Sequence, residues 1–284
     1  MKFYDAHIHF YFKIPAEELK GVFCRLQEIG MAGCDALVFA EFPGDLKTVL
    51  KMVPAAYHNS ISIPTLEMQK DPFPYFAWAK PLRIIPFVDA RFIDQGIEEK
   101  MAGFKERGFR GLKLLYIPEE DGTIGVQGME QAFGRSVKKS EEITARLIDS
   151  ADSLGMPVLF HVDLRRYGDF VKEMIASHPQ TNFNIPHFGS SRKAIRQLLD
   201  NYPNCYTDTA SLVPFMEEDP QSYLTFMRQY QDRVLYGSDA LIGNPEHVAS
   251  TLSFLERFVP DQEILPRLVH NNYLAFHRIP GPAS

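Results

Sequence analysis

Apolar and polar positions along this chain keep changing rhythm, from short dense runs to the three- and four-residue spacing of helices. Eight short apolar or β-rich runs recur: "KFYDAHIHF", "DALVFAEF", "LRIIPFVDA", "FRGLKLLYI", "MPVLFHVDL", "NFNIPHFG", "CYTDTAS" and "RVLYGSDAL". Most are separated by amphipathic stretches. Leu19, Val22, Phe23 and Leu26 stand at i, i+3, i+4 and i+7. Pro15, Glu17 and Glu18 mark that helix's start and Gly30 its end. "SSRKAIRQLLD" opens on serine caps and sets Ala194, Ile195, Leu198 and Leu199 on one side, while Asn244 and Pro245 open "NPEHVASTLSFL" as cap and first helical residue. Strands that alternate with helices predict parallel pairing and right-handed crossovers, hence a closed α/β fold, the (β/α)8 TIM barrel. No glycine-rich dinucleotide fingerprint follows the first run, which lowers the open-sheet alternative. A last helix, about Gln262 to His277, is expected to pack on the barrel's outside. Composition does not shift along the chain, so residues 1–284 are expected to form one domain.

Two connections are too long for turns. Pro43 to Lys80 is proline-rich and carries Tyr57, Tyr75, Phe76 and Trp78; Pro118 to Arg135 is glycine-rich. Long loops in compact domains are functional or disordered. Both follow a strand, which in a barrel puts them at the catalytic face.

Composition narrows the class of partner. With 45% hydrophobic and 23% charged residues the balance is globular, and a net charge of −6 argues against nucleic acid or an anionic membrane. Three cysteines, Cys24, Cys34 and Cys205, have neither even number nor CxxC spacing. They read as small core residues. No apolar stretch approaches membrane-spanning length, so the expectation is a soluble protein of a reducing cytoplasm with a small-molecule substrate. Association into a homo-oligomer stays open.

Candidate chemistry lies where the apolar runs are broken. By strand alternation, Asp5, His7 and His9 share one face with Phe3. Lys113 lies in the fourth run, His161 ends "VLFH", His187 ends "NIPH" and Asp239 ends "LYGSD". Taken singly, each has an ordinary explanation: a core histidine, a helix cap, a buried counter-ion. Together, six polar groups from five strands converge on one barrel mouth, which points to a metal site. Imidazole and carboxylate donors suit zinc, manganese, iron or cobalt, and three histidines with Asp239 make a catalytic zinc set with a position open for water. His187 could hold a second ion or polarise a carbonyl. Lys113 becomes a ligand only if carbamylated.

The stretches "DAHIHF", "GFRGLKLL", "PVLFHVDL", "IPHFG" and "VLYGSDAL", in this order, resemble the amidohydrolase superfamily of metal-dependent TIM-barrel enzymes. The branch they resemble most is the amidohydrolase-related one that includes aminocarboxymuconate-semialdehyde decarboxylase. "HNNYLAFHRI" resembles that branch's closing helix. The resemblance implies His7, His9 and His161 as ligands of one divalent metal, Asp239 as ligand and general base, and His187 as the catalytic histidine. Lys113 matches the lysine that binuclear members carbamylate; in this branch one ion, zinc before manganese, is the expectation.

Two reactions follow from this set. In the first, activated water attacks an amide, ester or lactone carbonyl, Asp239 moves the proton, and His187 with the metal stabilises the oxyanion. The alternative is non-oxidative decarboxylation or hydration of a small carboxylic acid. Arg165 and Arg166, just after His161, are candidate carboxylate clamps. Glu41, Asp89 and Arg91 end strands where barrel residues meet substrate, and Tyr116 and Trp78 are candidate pocket aromatics.

Overall fold

The computed structural model describes residues 1–12, 15–120, 122 and 125–280. Its strands are β1 (Phe3–His9), β2 (Met31–Val38), β3 (Arg83–Asp89), β4 (Gly111–Tyr116), β5 (Val158–Val162), β6 (Phe183–Ile185), β7 (Cys205–Asp208), β8 (Val234–Leu235) and β9 (Ala240–Leu241). All neighbours pair in parallel, in the order β8-β7-β6-β5-β4-β3-β2-β1-β9. Both edges of this ladder belong to the eighth run, so the sheet closes on itself as an α/β TIM barrel. Backbone bonds from Ala6 N to Tyr236 O and from Asp239 N to His7 O bridge the seam.

Helices form where the apolar spacing demands them. The helix Leu19–Glu28 buries Leu19, Phe23 and Leu26. Ser191 caps Arg192–Asn201 by accepting from Ala194 N, and that helix buries Ile195, Leu198 and Leu199. Asn244 caps Pro245–Phe258 by accepting from His247 N. Each side chain sequestered this way contributes about 1.5–3 kcal/mol of transfer free energy.

The closing helical segment, Ile264 to Phe276, lies outside the barrel only in part: Ile264, Leu268 and Val269 join the outer core, while its end turns under the barrel and covers the floor. Tyr273, Leu274 and Phe276 join Ala6, Leu37, Phe87, Leu159 and Leu235 in one apolar cluster. Tyr273 stacks on Tyr4 at 4.5 Å and its hydroxyl donates to buried Asp35 at 2.7 Å.

Strand β1 departs from simple alternation. Asp5 pairs with Cys34 but Ile8 with Ala36, so three steps on β1 match two on β2. One extra residue is a β-bulge, which swaps the faces beyond it. Tyr4 and Ala6 face the interior below the bulge; above it, Ile8, Phe10 and Phe12 face the outer layer and His7, His9 and Tyr11 line the mouth. Asp5 therefore does not share a face with the two histidines. Its Oδ1 accepts from the backbone amides of His7 and Ser238, pinning the bulge to the seam.

Candidate metal centre

His7 and His9 meet Asp239 across the seam. His7 Nε2 lies 3.3 Å and His9 Nε2 3.1 Å from the same oxygen, Asp239 Oδ1. One donor atom from each of the three residues falls within 4.8 Å of the others. Proton placement makes this arrangement telling. His7 Nδ1 lies 3.1 Å from Asp208 Oδ2, whose carboxylate also accepts from Asn184 Nδ2, His187 N and Ala210 N. A carboxylate accepting on every side makes His7 Nδ1 a donor, so in the neutral ring Nε2 is bare. A bare nitrogen facing a carboxylate oxygen sets two acceptors against each other, and a cation between them removes the conflict. The donor set fits a divalent metal.

Electrostatics agree. Burial lowers His9 to about 4, against the pull of Asp239. Burial, the His187 ring and Lys113 push His161 well below the usual range, and burial lowers His187. For Asp239 burial works upward but is outweighed by His7, His9 and His187, which hold it well below the usual carboxylate range. His9, His161 and His187 are thus shifted towards the neutral imidazole and Asp239 towards the carboxylate, the forms that a divalent ion requires of its ligands.

The other two histidines form a relay on the opposite side of the mouth. His187 Nδ1 donates to Ala210 O at 2.8 Å, which leaves its Nε2 to accept from His161 Nδ1 at 3.2 Å. His161 then also presents a bare Nε2. His161 stands outside the three-residue group but lines the same cavity, its ring 4.8 Å from that of His187, which in turn lies 5.1 Å from the His7 ring. Lys113 is buried in the same wall and lowered by burial to about 8.

Backbone strain gathers here as well. Among the described residues, six that are not glycine have positive φ, and five of them line the mouth: His187 (56°), Phe188 (52°), Ser190 (58°), Ser211 (55°) and Asp239 (59°). Such conformations cost of order 1–3 kcal/mol each and persist where surrounding structure over-determines them. Ser211 repays part of that cost by donating from Oγ to Asp239 Oδ2 at 2.5 Å.

The sequence model of the amidohydrolase family matches residues 4–276. The chain belongs to the amidohydrolase family. As a member it is a metal-dependent hydrolase, and its barrel is one that solved structures share. A TatD homologue from Escherichia coli K12 is 14% identical, with 98% of each chain covered and a TM-score of 0.62. A dihydroorotase from Campylobacter jejuni is 13% identical over 99% of this chain and 85% of its own, at 0.61. A protein from Pseudomonas putida assigned as a 2-pyrone-4,6-dicarboxylic acid hydrolase is 14% identical, with 98% of each chain covered, at 0.56. At such identities the likeness speaks for the fold alone. No curated protein sequence matches the chain.

The amidohydrolase's mouth opens into a cavity of about 670 Å³ that holds His7, His9, Lys113, His161, His187 and Asp239 together. Of the substrate-side candidates, Arg165, Arg166, Arg91 and Tyr116 line it. Arg166 is steadied by Glu119 Oε2 at 2.8 Å, and Arg165 is paired with Asp163. Asp89 sits behind the wall and holds Arg91, accepting from Arg91 Nε at 2.9 Å, so the arginine of that pair is what faces the cavity. Glu41 stands apart, half-exposed and ion-paired with Lys100. Trp78 also lies off the cavity, under Lys20 and against Tyr75. Asp208, and Ser211 as a partner of Asp239, emerge only from the fold; Tyr57, carried by the long proline-rich connection expected at the catalytic face, contacts His9 and the Asp239 carbonyl there. The signal for Asp208 was its place as the one carboxylate in the seventh run, where other runs carry site residues.

Among the described residues no helix is long and apolar enough to cross a membrane.

Proposed function

We propose that this amidohydrolase cleaves an amide, ester or lactone carbonyl of a small molecule, with one ion, zinc before manganese, held by His7, His9, His161 and Asp239. The observation that carries the reading is the convergence of two imidazole Nε2 atoms on one Asp239 oxygen at the mouth of a closed barrel. Bound there, a divalent ion supplies Lewis acidity to the carbonyl and to the attacking water.

The chain's own groups divide the remaining work. Asp239 accepts the water's proton at Oδ2, because Oδ1 is turned to the two imidazoles. His187 holds its Nδ1–H on Ala210 O, so as a neutral ring it has no donor for an oxyanion. The proton that Asp239 takes from the water passes to His187 Nε2, displacing the His161 Nδ1–H it accepts in the resting site, and from there to the leaving group. Lys113 is a free amine in the cavity wall, and Arg166 orients a polar or acidic end of the substrate. We place the enzyme in the cytoplasm on its three unpaired cysteines.

Two measurements test this. Elemental analysis of tag-free protein grown with zinc or manganese and bicarbonate is expected to give about one divalent ion per chain. A panel of small lactones and amides, beside an assay for carbon dioxide from aromatic acids, reads the reaction. Metal-free protein under those conditions, or carbon dioxide release without any hydrolysis, overturns the proposal.

A further inference from the structure

Asp208 ends β7 at the base of the cavity, fully buried, and every group around it donates to it. Oδ2 takes His7 Nδ1 at 3.1 Å and Asn184 Nδ2 at 2.9 Å; Oδ1 takes the backbone amides of His187 and Ala210, each at 3.1 Å. Asn184 and the two amides are obligate donors in this geometry. Only the His7 proton had a choice of nitrogen.

The two amides matter for a second reason. Ala210 carries the carbonyl that receives His187 Nδ1–H, and His187 begins the left-handed run through Ser190. Asp208 Oδ1 thus ties together the two backbone positions that orient the His187 ring. That ring, through Nε2, fixes the proton of His161 on Nδ1. The bare Nε2 atoms of His7, His161 and His187 all trace back to one carboxylate.

The glycine of "GSD" has a part in this. A Cβ at Gly237 would stand 3.0 Å from His7 Cβ, 3.3 Å from Asp208 Cγ and 3.4 Å from Ala210 Cβ. Its missing side chain is the space in which His7 and Asp208 meet.

We propose that Asp208 is a positioning residue that sets the proton positions of the three mouth imidazoles, directly for His7 and through the 208–210 turn for His187 and His161. This rests on the reading of the mouth as a metal site. Replacing the carboxylate by an amide turns one acceptor into a donor. In Asp208→Asn the two backbone amides keep the amide oxygen on their side, so the amide nitrogen meets His7 Nδ1, and relief of that clash moves the His7 proton to Nε2, the nitrogen whose lone pair the metal needs.

The test uses zinc-loaded full-length protein. Zinc affinity is read by competition with a chelator, and the tautomer by nitrogen-detected NMR of the His7 ring. Wild type is expected to carry the His7 proton on Nδ1, and Asp208→Asn to lose 10- to 100-fold in zinc affinity, the usual size of such outer contacts. Gly237→Ala, which removes no polar group, is expected to weaken zinc in the same direction by wedging the pair apart. A purely structural role would lower the melting temperature and leave affinity per folded chain and tautomer as they were. Zinc affinity within twofold of wild type in folded Asp208→Asn overturns the proposal. So does a wild-type His7 protonated on Nε2, whatever the variants do. Wild-type protein that takes up no zinc at all instead overturns the metal-site reading itself, which keeps the two failures apart.

Discussion

His187→Asn isolates one nitrogen. Asparagine tolerates the left-handed backbone that position 187 requires (φ 56°), where alanine would add strain. Its Nδ2 branches from Cγ as the imidazole Nδ1 does, so the 2.8 Å bond to Ala210 O is retained. What disappears is Nε2 and the bond it accepts from His161. Losing one hydrogen bond costs about 1 kcal/mol, a melting-temperature drop of roughly 2–4 °C for a chain of this size. His7, His9 and Asp239 are untouched and His161 loses only the acceptor of its Nδ1–H, so at saturating metal the content stays at the wild-type value. Losing a positioned proton carrier costs about 10²–10⁴ in kcat, roughly 3–5 kcal/mol of barrier. Metal analysis, a thermal melt and steady-state kinetics on a substrate the wild type hydrolyses separate the three effects. Turnover within threefold of wild type at unchanged metal content would remove His187 from the proton path.

Asp239→Asn takes away the anion on which both Nε2 atoms converge, and elemental analysis is expected to find the metal lost together with at least a roughly 10³-fold fall in turnover. Lys113→Met, checked by the same analysis, is expected to keep one ion per chain; a fall from two to one would mean a carbamate bridge. Tyr273→Phe deletes the hydroxyl donating to buried Asp35, and a thermal or denaturant melt is expected to show a loss of about 1.5–3 kcal/mol with activity per folded chain preserved.

Much of the fold was legible because barrel strands and their covering helices obey different periods. Leu19, Phe23 and Leu26 bury as their spacing demands, and Ser191 and Asn244 cap as their positions suggest. The members of the site were legible one by one as polar breaks in apolar runs: His7, His9, Lys113, His161, His187 and Asp239 all reach one cavity. Contacts across strands were not legible. The bulge that turns His7 inward and leaves Asp5 behind depends on pairing with β2, which no local pattern encodes. Glu41 ends its strand as a site residue would, yet Lys100, which lies far along the chain, takes it as a partner. Asp208 looked like any aspartate at a strand end until β1, β6 and β7 were brought side by side.

The seam between β1 and β9 also has a kinetic meaning. His9 and Asp239 are 230 positions apart in the chain, and Asp5 reaches Ser238 across 233. Contacts of such separation carry a large loop-closure cost before any reward arrives, and chains dominated by them fold slowly. Until this seam is zipped, His7 and His9 on one side and Asp239 on the other are not brought together as a donor set. Capture of a metal ion during refolding therefore marks the moment of ring closure, and a stopped-flow trace of metal uptake would serve as a clock for it.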